Sequence, residues 1–337
     1  MPSIERANLR RFVGLMLAVL LSLTLAAPGV LAQTGTPSAS PAASPIAAKD
    51  AGAAATAWLV KQQLPDGSFT GFTGSSDPGV TTDALLALVA ASKAGIDLHA
   101  QIDAALTYLY AHGNDYASKG VGQAAKVVVA IKAAHGDPAK VTGGDPAQAV
   151  VSAKPGANGL YGGGAFDHAY VILALAATGS NVSQAAIDAL TKTQVADGAW
   201  GFDGGTKAGN GDTNTTSMVI QALAAVGKSA DPMVAKGLAY LQSTRLANGS
   251  FPYQPGGAGD ANSTALVILA FIAAGETTQA SSLTSAMAAF QNSDGAYRYQ
   301  ATPPDDNLFA TLQANPAIFG VDFGHLAAAG AMATPAA

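Results

Sequence analysis

The 337-residue chain has no cysteine. Disulfides, thiolate zinc sites, cysteine nucleophiles and a lipid-modified cysteine anchor are therefore all excluded. Charge is scarce too: Asp, Glu, Lys and Arg together make 12% of the residues, and 17 basic against 22 acidic groups leave a net charge of −5. A basic face for nucleic acid cannot be assembled from that set, so no nucleic-acid partner is expected. Aromatics are only 7%, with two Trp. Against these shortages stand 49% hydrophobic residues and 38 Gly. The core must be built from small aliphatic side chains on closely approaching helices.

The ends differ from the middle. Arg6, Arg10 and Arg11 precede an apolar run from Phe12 to Ala27, Pro28-Gly29 breaks it, and Val30-Leu31-Ala32 is a small-residue cleavage pattern. Residues 1–32 are thus expected to be a secretory signal, and Arg10-Arg11-Phe12 is a partial twin-arginine pattern. The expected location is secreted or at the cell surface, with membrane contact only through that segment if it stays uncleaved. Removing it leaves a net charge of −7. Residues 33–49, rich in Pro, Ser, Ala and Thr, are expected to be a linker. The repeat domain is expected over 50–324 and a disordered tail over 325–337.

Within 50–324 the chain repeats itself about every 46 residues. Asp or Asn, then Gly, any residue and an aromatic recur at Asp66-Gly67-Ser68-Phe69, Asn158-Gly159-Leu160-Tyr161, Asp197-Gly198-Ala199-Trp200, Asn248-Gly249-Ser250-Phe251 and Asp294-Gly295-Ala296-Tyr297. Gly113 lies midway between Gly67 and Gly159 and marks a degenerate copy. A second glycine series, Gly95, Gly136, Gly179, Gly227, Gly275 and Gly320, closes apolar helical runs, the place for a left-handed residue. Each unit then holds two helices. The first of each pair is amphipathic, as in Gly237-Leu238-Ala239-Tyr240-Leu241; the second is apolar nearly all round, as in Leu266-Val267-Ile268-Leu269-Ala270-Phe271. An inner ring enclosed by an outer ring satisfies both patterns. The expected fold is all-α: an α/α toroid of about six helix pairs in two concentric rings, closed on itself rather than an open solenoid.

Gln63-Leu64-Pro65-Asp66-Gly67, Gln194-Val195-Ala196-Asp197-Gly198 and Gln291-Asn292-Ser293-Asp294-Gly295 share Gln-x-x-Asp-Gly, and Trp200 completes Gln-x-x-Asp-Gly-x-Trp. The motif resembles the squalene cyclase and protein prenyltransferase repeat, which implies a terpenoid cyclase-like toroid. Asp212-Thr213-Asn214-Thr215-Thr216 also looks similar to an inner-helix start in the helical barrel of cobalamin carriers. The chemistry of these relatives needs atoms that are missing. There is no Asp-x-Asp-Asp to protonate a terpenoid, and no Cys for a prenyltransferase zinc or a thioester. Carboxylate chemistry on sugars stays open, since toroids also serve carbohydrate-active enzymes.

Polar residues gather at the expected starts of the inner helices: Asp83, Asp167 with His168, Asp212 with Asn214, Asp260 with Asn262, and Asp306. Tyr161 and Trp200 lie in the glycine-rich loops beside them. Two readings stay open for this set: helix capping, or a polar and aromatic rim that binds a ligand. Lys126, inside an inner helix, is expected to turn its ammonium outward. No two His share a metal spacing, so neither metal nor cofactor is expected. The functional expectation is a non-catalytic binder of a small molecule, terpenoid or corrinoid, or of a glycan, at the barrel mouth. The alternative is a diverged cyclase-like or carbohydrate-active enzyme using the rim carboxylates.

Overall fold

The structure is a computed structural model and describes residues 48–328. The expected signal, and the linker up to residue 47, lie outside the described residues.

Fourteen helices are present among the described residues. Six outer helices are α1 (Ala48–Gln62), α3 (His99–His112), the short α6 (Pro146–Ser152), α8 (Gln184–Thr193), α10 (Pro232–Ser243) and α12 (Thr277–Met287). Six inner helices alternate with them: α2 (Pro78–Lys93), α5 (Val121–Ala133), α7 (Ala165–Ala177), α9 (Thr213–Ala225), α11 (Ala261–Ala273) and α13 (Leu308–Phe319). Two further short helices are α4 (Asn114–Ala117) and α14 (Phe323–Ala327). Each inner helix packs on the next, and α13 packs back on α2 and α1, so the ring is closed. All-round apolarity of the inner set follows from this burial on every side.

The repeat motif is the joint of the ring. In the first, fourth and sixth units a Gln donates its amide N–H both to its own turn and to the next outer helix. Gln63 reaches Gly67 O and Gln101 O at 3.0 and 2.9 Å, and Gln194 reaches Gly198 O and Met233 O, both at 2.9 Å. Gln291 does the same for Gly295 O and Ala51 O, at 3.1 and 2.8 Å. That last bond joins the last unit of the ring to the first, across 240 residues of sequence. The turn glycines sit at positive φ, for example 96° at Gly198, and there the turn lies directly on the Lys236 backbone, where a side chain has no room.

After the turn the chain is pinned to its own inner helix. The N–H of Phe69, Trp200, Phe251 and Tyr297 donates to the hydroxyl of Thr81, Thr216, Thr264 and Thr311 at 2.8–3.0 Å. Each of these threonines is the fourth residue of its helix.

Four expectations change. Gly113 is not a turn copy: it is right-handed, φ −58°, and carries α3 into α4. The left-handed residue after α5 is His135 (φ 56°), not Gly136, which is small because Tyr110 Oη crowds it. The tail does not begin at 325. His325, Leu326 and Ala327 belong to α14, which packs on α2, α5, α7, α9 and α11 inside the ring. Likewise α1 starts at Ala48, inside the expected linker.

Candidate functional site

Residues two, six and nine of a helix share one face. In the six inner helices that face looks along the toroid interior, because the sixth residues of five of them line one central cavity and the remaining one, Lys126, bonds across to its neighbour. The interior is therefore layered. The second residues form the mouth: Gly79, Gly122, Phe166, Asn214, Asn262 and Phe309. The sixth residues form the middle: Asp83, Lys126, Tyr170, Met218, Leu266 and Gln313. Same-level contacts between neighbours show that the inner helices run parallel, with their N-termini at the mouth.

The middle layer holds one ion pair. Lys126 Nζ lies 2.6 Å from one Asp83 oxygen and 2.8 Å from the other. It also lies 6.0 Å from the ring centres of both Tyr116 and Tyr170. Burial pulls the ammonium pKa down, but Asp83, with the two tyrosines, outweighs burial and holds it above the ordinary lysine value. The expected outward turn of Lys126 is thus wrong: a close carboxylate inside compensates the lost hydration. Across the ring, Gln313 Oε1 and Asn262 Oδ1 are buried without a hydrogen-bond partner. Asn262 stands one turn above Leu266 on the same face.

The mouth is aromatic. Phe72, 73% exposed, stacks on Phe309 with ring centres 4.2 Å apart. Phe202, 39% exposed, lies 5.7 Å from Phe166, which in turn meets Tyr170 edge-on at 5.5 Å. Tyr116 from α4 covers Gly79. Below the middle layer the cavity is closed by Phe323 of α14. The volume left open to the centre of a water molecule is about 20 Å³, room for one or two waters. A prenyl chain or a sugar ring does not fit there as the cavity stands, so a ligand of that size has only the mouth above it. A larger hollow, about 400 Å³ open to water centres, is lined by Arg245, Asn248 and Ser285 on the outer ring and has no aromatic wall.

The residues expected to share a rim are spread over five settings. Asp83, Asn214 and Asn262 are on the interior face. Asp167 is at the rim, half-buried, and accepts the Gly163 N–H at 2.7 Å; burial pushes its carboxyl above the ordinary value and that hydrogen bond opposes the rise. Asp212 and Asp260 are caps. Each is buried and accepts a helix-start N–H at 2.7 Å, from Thr215 and Ser263, and burial pushes both up to about 6. Asp77, absent from the expected set, caps α2 in the same way through Val80 at 2.9 Å. Asp306 lies on an exposed loop, where it accepts from Asn292 at 2.7 Å.

Tyr161, His168 and Trp200 belong to the wall between the rings. Trp200 is fully buried and its indole N–H donates to Leu190 O at 2.8 Å. His168 is the fourth residue of α7, where other units carry Thr. Its Nδ1 accepts the Tyr161 N–H at 2.9 Å, and Nε2 donates to Ala186 O at 3.0 Å. Both nitrogens are committed, the ring is neutral, and burial drops its pKa to about 4. Tyr161 stacks on it at 5.3 Å. The unit without an aromatic turn, around Gly113, has Ala124 at this fourth position.

Residues 167–302 match the family model of the prenyltransferase alpha-alpha toroid domain. The match covers less than half of the chain, and the same kind of helix pair continues on both sides of the matched span until the ring closes. Among solved structures, a variant of the type II terpene cyclase MstE from Scytonema, in complex with the substrate geranylgeranyl dihydroxybenzoate, is 15% identical. The match covers 81% of this chain and 97% of that one, with a TM-score of 0.60. An inactive variant of an α-1,6-mannanase from Salegentibacter sp. HEL1_6, in complex with α-1,6-mannotriose, is 11% identical over 81% of this chain and 98% of the other, at a TM-score of 0.59. Likeness at that identity is likeness of fold. No curated protein matches the chain.

Proposed function

We propose that this protein is a secreted or cell-surface toroid that binds a small hydroxyl-bearing molecule, or the terminal sugar of a glycan, at the mouth formed by the inner-helix N-termini. The observation that carries the reading is the pair of buried, unpartnered amide oxygens, Asn262 Oδ1 and Gln313 Oε1, beneath an aromatic-walled opening. Unpaired acceptors call for donors, and ring faces such as Phe166 and Phe202 suit the apolar face of a sugar or a flat ring. The shallow cavity argues against a long apolar chain entering from this side. Proteins of similar fold in complex with mannotriose and with a prenylated aromatic support both ligand types as chemically compatible with a toroid.

Calorimetric titration of the mature chain against oligosaccharide, terpenoid and corrinoid panels tests this. Binding that weakens at least tenfold in Gln313→Leu and Asn262→Leu is the expected result. No binding to any member, together with turnover of one, overturns it. A second reading, a carbohydrate-active enzyme, draws on Asp167: a rim carboxyl that burial holds protonated to higher pH has the property of a general acid. In that case Asp167→Asn abolishes turnover while the melting temperature stays put. Export is tested by fusing residues 1–32 to a reporter; retention in the cytoplasm overturns that part.

A further inference from the structure

Below the middle layer the toroid interior becomes apolar. The ninth residues of the inner helices include Leu86, Val129, Leu173, Leu269 and Pro316, and the sixth member, Gln221, is fully buried. The ring does not fill this chamber with its own side chains. Helix α14 does, with Phe323 5% exposed and Leu326 and Ala327 buried. Phe323 also stacks under Tyr170, ring centres 6.4 Å apart. The amide oxygen of Gln221 accepts the Phe323 backbone N–H at 3.1 Å. One short segment thus supplies what the chamber lacks: apolar bulk and one hydrogen-bond donor.

The segment is not part of the repeat. Ring closure runs through α13, α1, α2 and Gln291 without it. It hangs from Gly320, the left-handed end of α13 at φ 71°, by the two residues Val321 and Asp322. Five helical residues cannot hold themselves in water. Its other polar ties are the Asp322 cap and the Lys93 ammonium, which donates to His325 O at 3.1 Å.

We propose that the lower chamber is a second binding site, for an alkyl chain ending in a hydroxyl, and that α14 is its built-in occupant, displaced by pivoting at Gly320. The hydroxyl takes the place of the Phe323 N–H on Gln221, and the alkyl chain takes the place of Phe323 and Leu326. Entry is from the end opposite the mouth, so the proposal stands apart from the mouth reading, and the difference made by holding or releasing α14 reports on the lower chamber alone.

The lack of cysteine makes a clean test possible. A Cβ added at Gly324 lies 3.0 Å from Ala225 Cβ, within a small shift of disulfide spacing. The double variant Ala225→Cys, Gly324→Cys therefore locks α14 in place when oxidised. The probe is 1-decanol, followed by calorimetry. Expected are binding by the reduced double variant, at least tenfold weaker binding by its oxidised form, and at least tenfold tighter binding by a chain ending at Gly320. Equal decanol binding in the oxidised and reduced forms overturns the proposal. So does a shortened chain that melts cooperatively and binds no better than the locked form. Should the shortened chain fail to fold, the locked pair decides alone.

Discussion

Replacing Gln291 with Leu tests whether the last unit holds the first as firmly as internal units hold each other. The substitution removes an amide that donates to Gly295 O and Ala51 O at 3.1 and 2.8 Å, and it leaves both carbonyls half-buried without that donor. A net hydrogen bond contributes about 1 kcal/mol, and an orphaned acceptor raises the loss, so the expected cost is about 2–3 kcal/mol. For a domain of this size each kcal/mol moves the melting temperature by about 2 °C, giving a drop of about 4–6 °C. Gln194→Leu removes the equivalent pair of bonds inside the ring and serves as the control. Thermal and urea unfolding of the two variants should match within about 1 kcal/mol. If Gln291→Leu melts with the wild type while Gln194→Leu falls by the full amount, the terminal seam contributes nothing and the closed-ring argument fails.

His168→Thr should restore the residue that other units use while removing a titrating group. The folded imidazole has a pKa of about 4 against the ordinary 6.5, so its contribution is complete above pH 6.5 and is lost as pH falls towards 4, about 3 kcal/mol in all. Asp212 and Asp260, pushed up to about 6, act in the opposite direction, so the effect is read as the difference between variant and wild type: the variant should gain relative stability between pH 6.5 and 4. A pH-independent difference refutes the assignment. Lys126→Met and Asp83→Leu singly should each cost about 3–5 kcal/mol in urea titrations, and the double variant much less, because a lone buried charge is worse than none; additive costs count against it. Asp260→Ala should lose about 1–2 kcal/mol as a missing cap and leave mouth-ligand affinity unchanged; a lost affinity at unaltered stability makes Asp260 a ligand residue instead.

The ring was legible because its joints need particular atoms. A left-handed turn crowded by a neighbouring backbone admits only Gly, and a carbonyl pair half-way between two units needs an amide such as Gln194, so both recur at fixed spacing. Gly136 misled for the same reason in reverse, being small for Tyr110 rather than for φ. The interior was less legible. Inner helices are apolar all round, so periodicity does not tell the axis-facing stripe from the wall. Only a shared register, counted from each helix start, puts Asp83, Lys126, Tyr170 and Gln313 in one layer. That register was within reach: the threonine at the fourth position of four inner helices is a sequence signal, and it would have marked His168 as its substitute. The inward turn of Lys126 needed Asp83, 43 residues away. The burial of α14 was hidden by an Ala-rich composition that reads like a loose end.

An open array of helix pairs lengthens by duplicating a unit, since each newcomer needs only one neighbour. The seam at Gln291 removes that freedom. A seventh pair would alter the angle at every joint at once, and a missing pair would leave a gap that no single side chain spans. A change that keeps the ring closed is a change within a unit, and position 168 shows one form it can take: an imidazole stands where four other units carry a threonine hydroxyl.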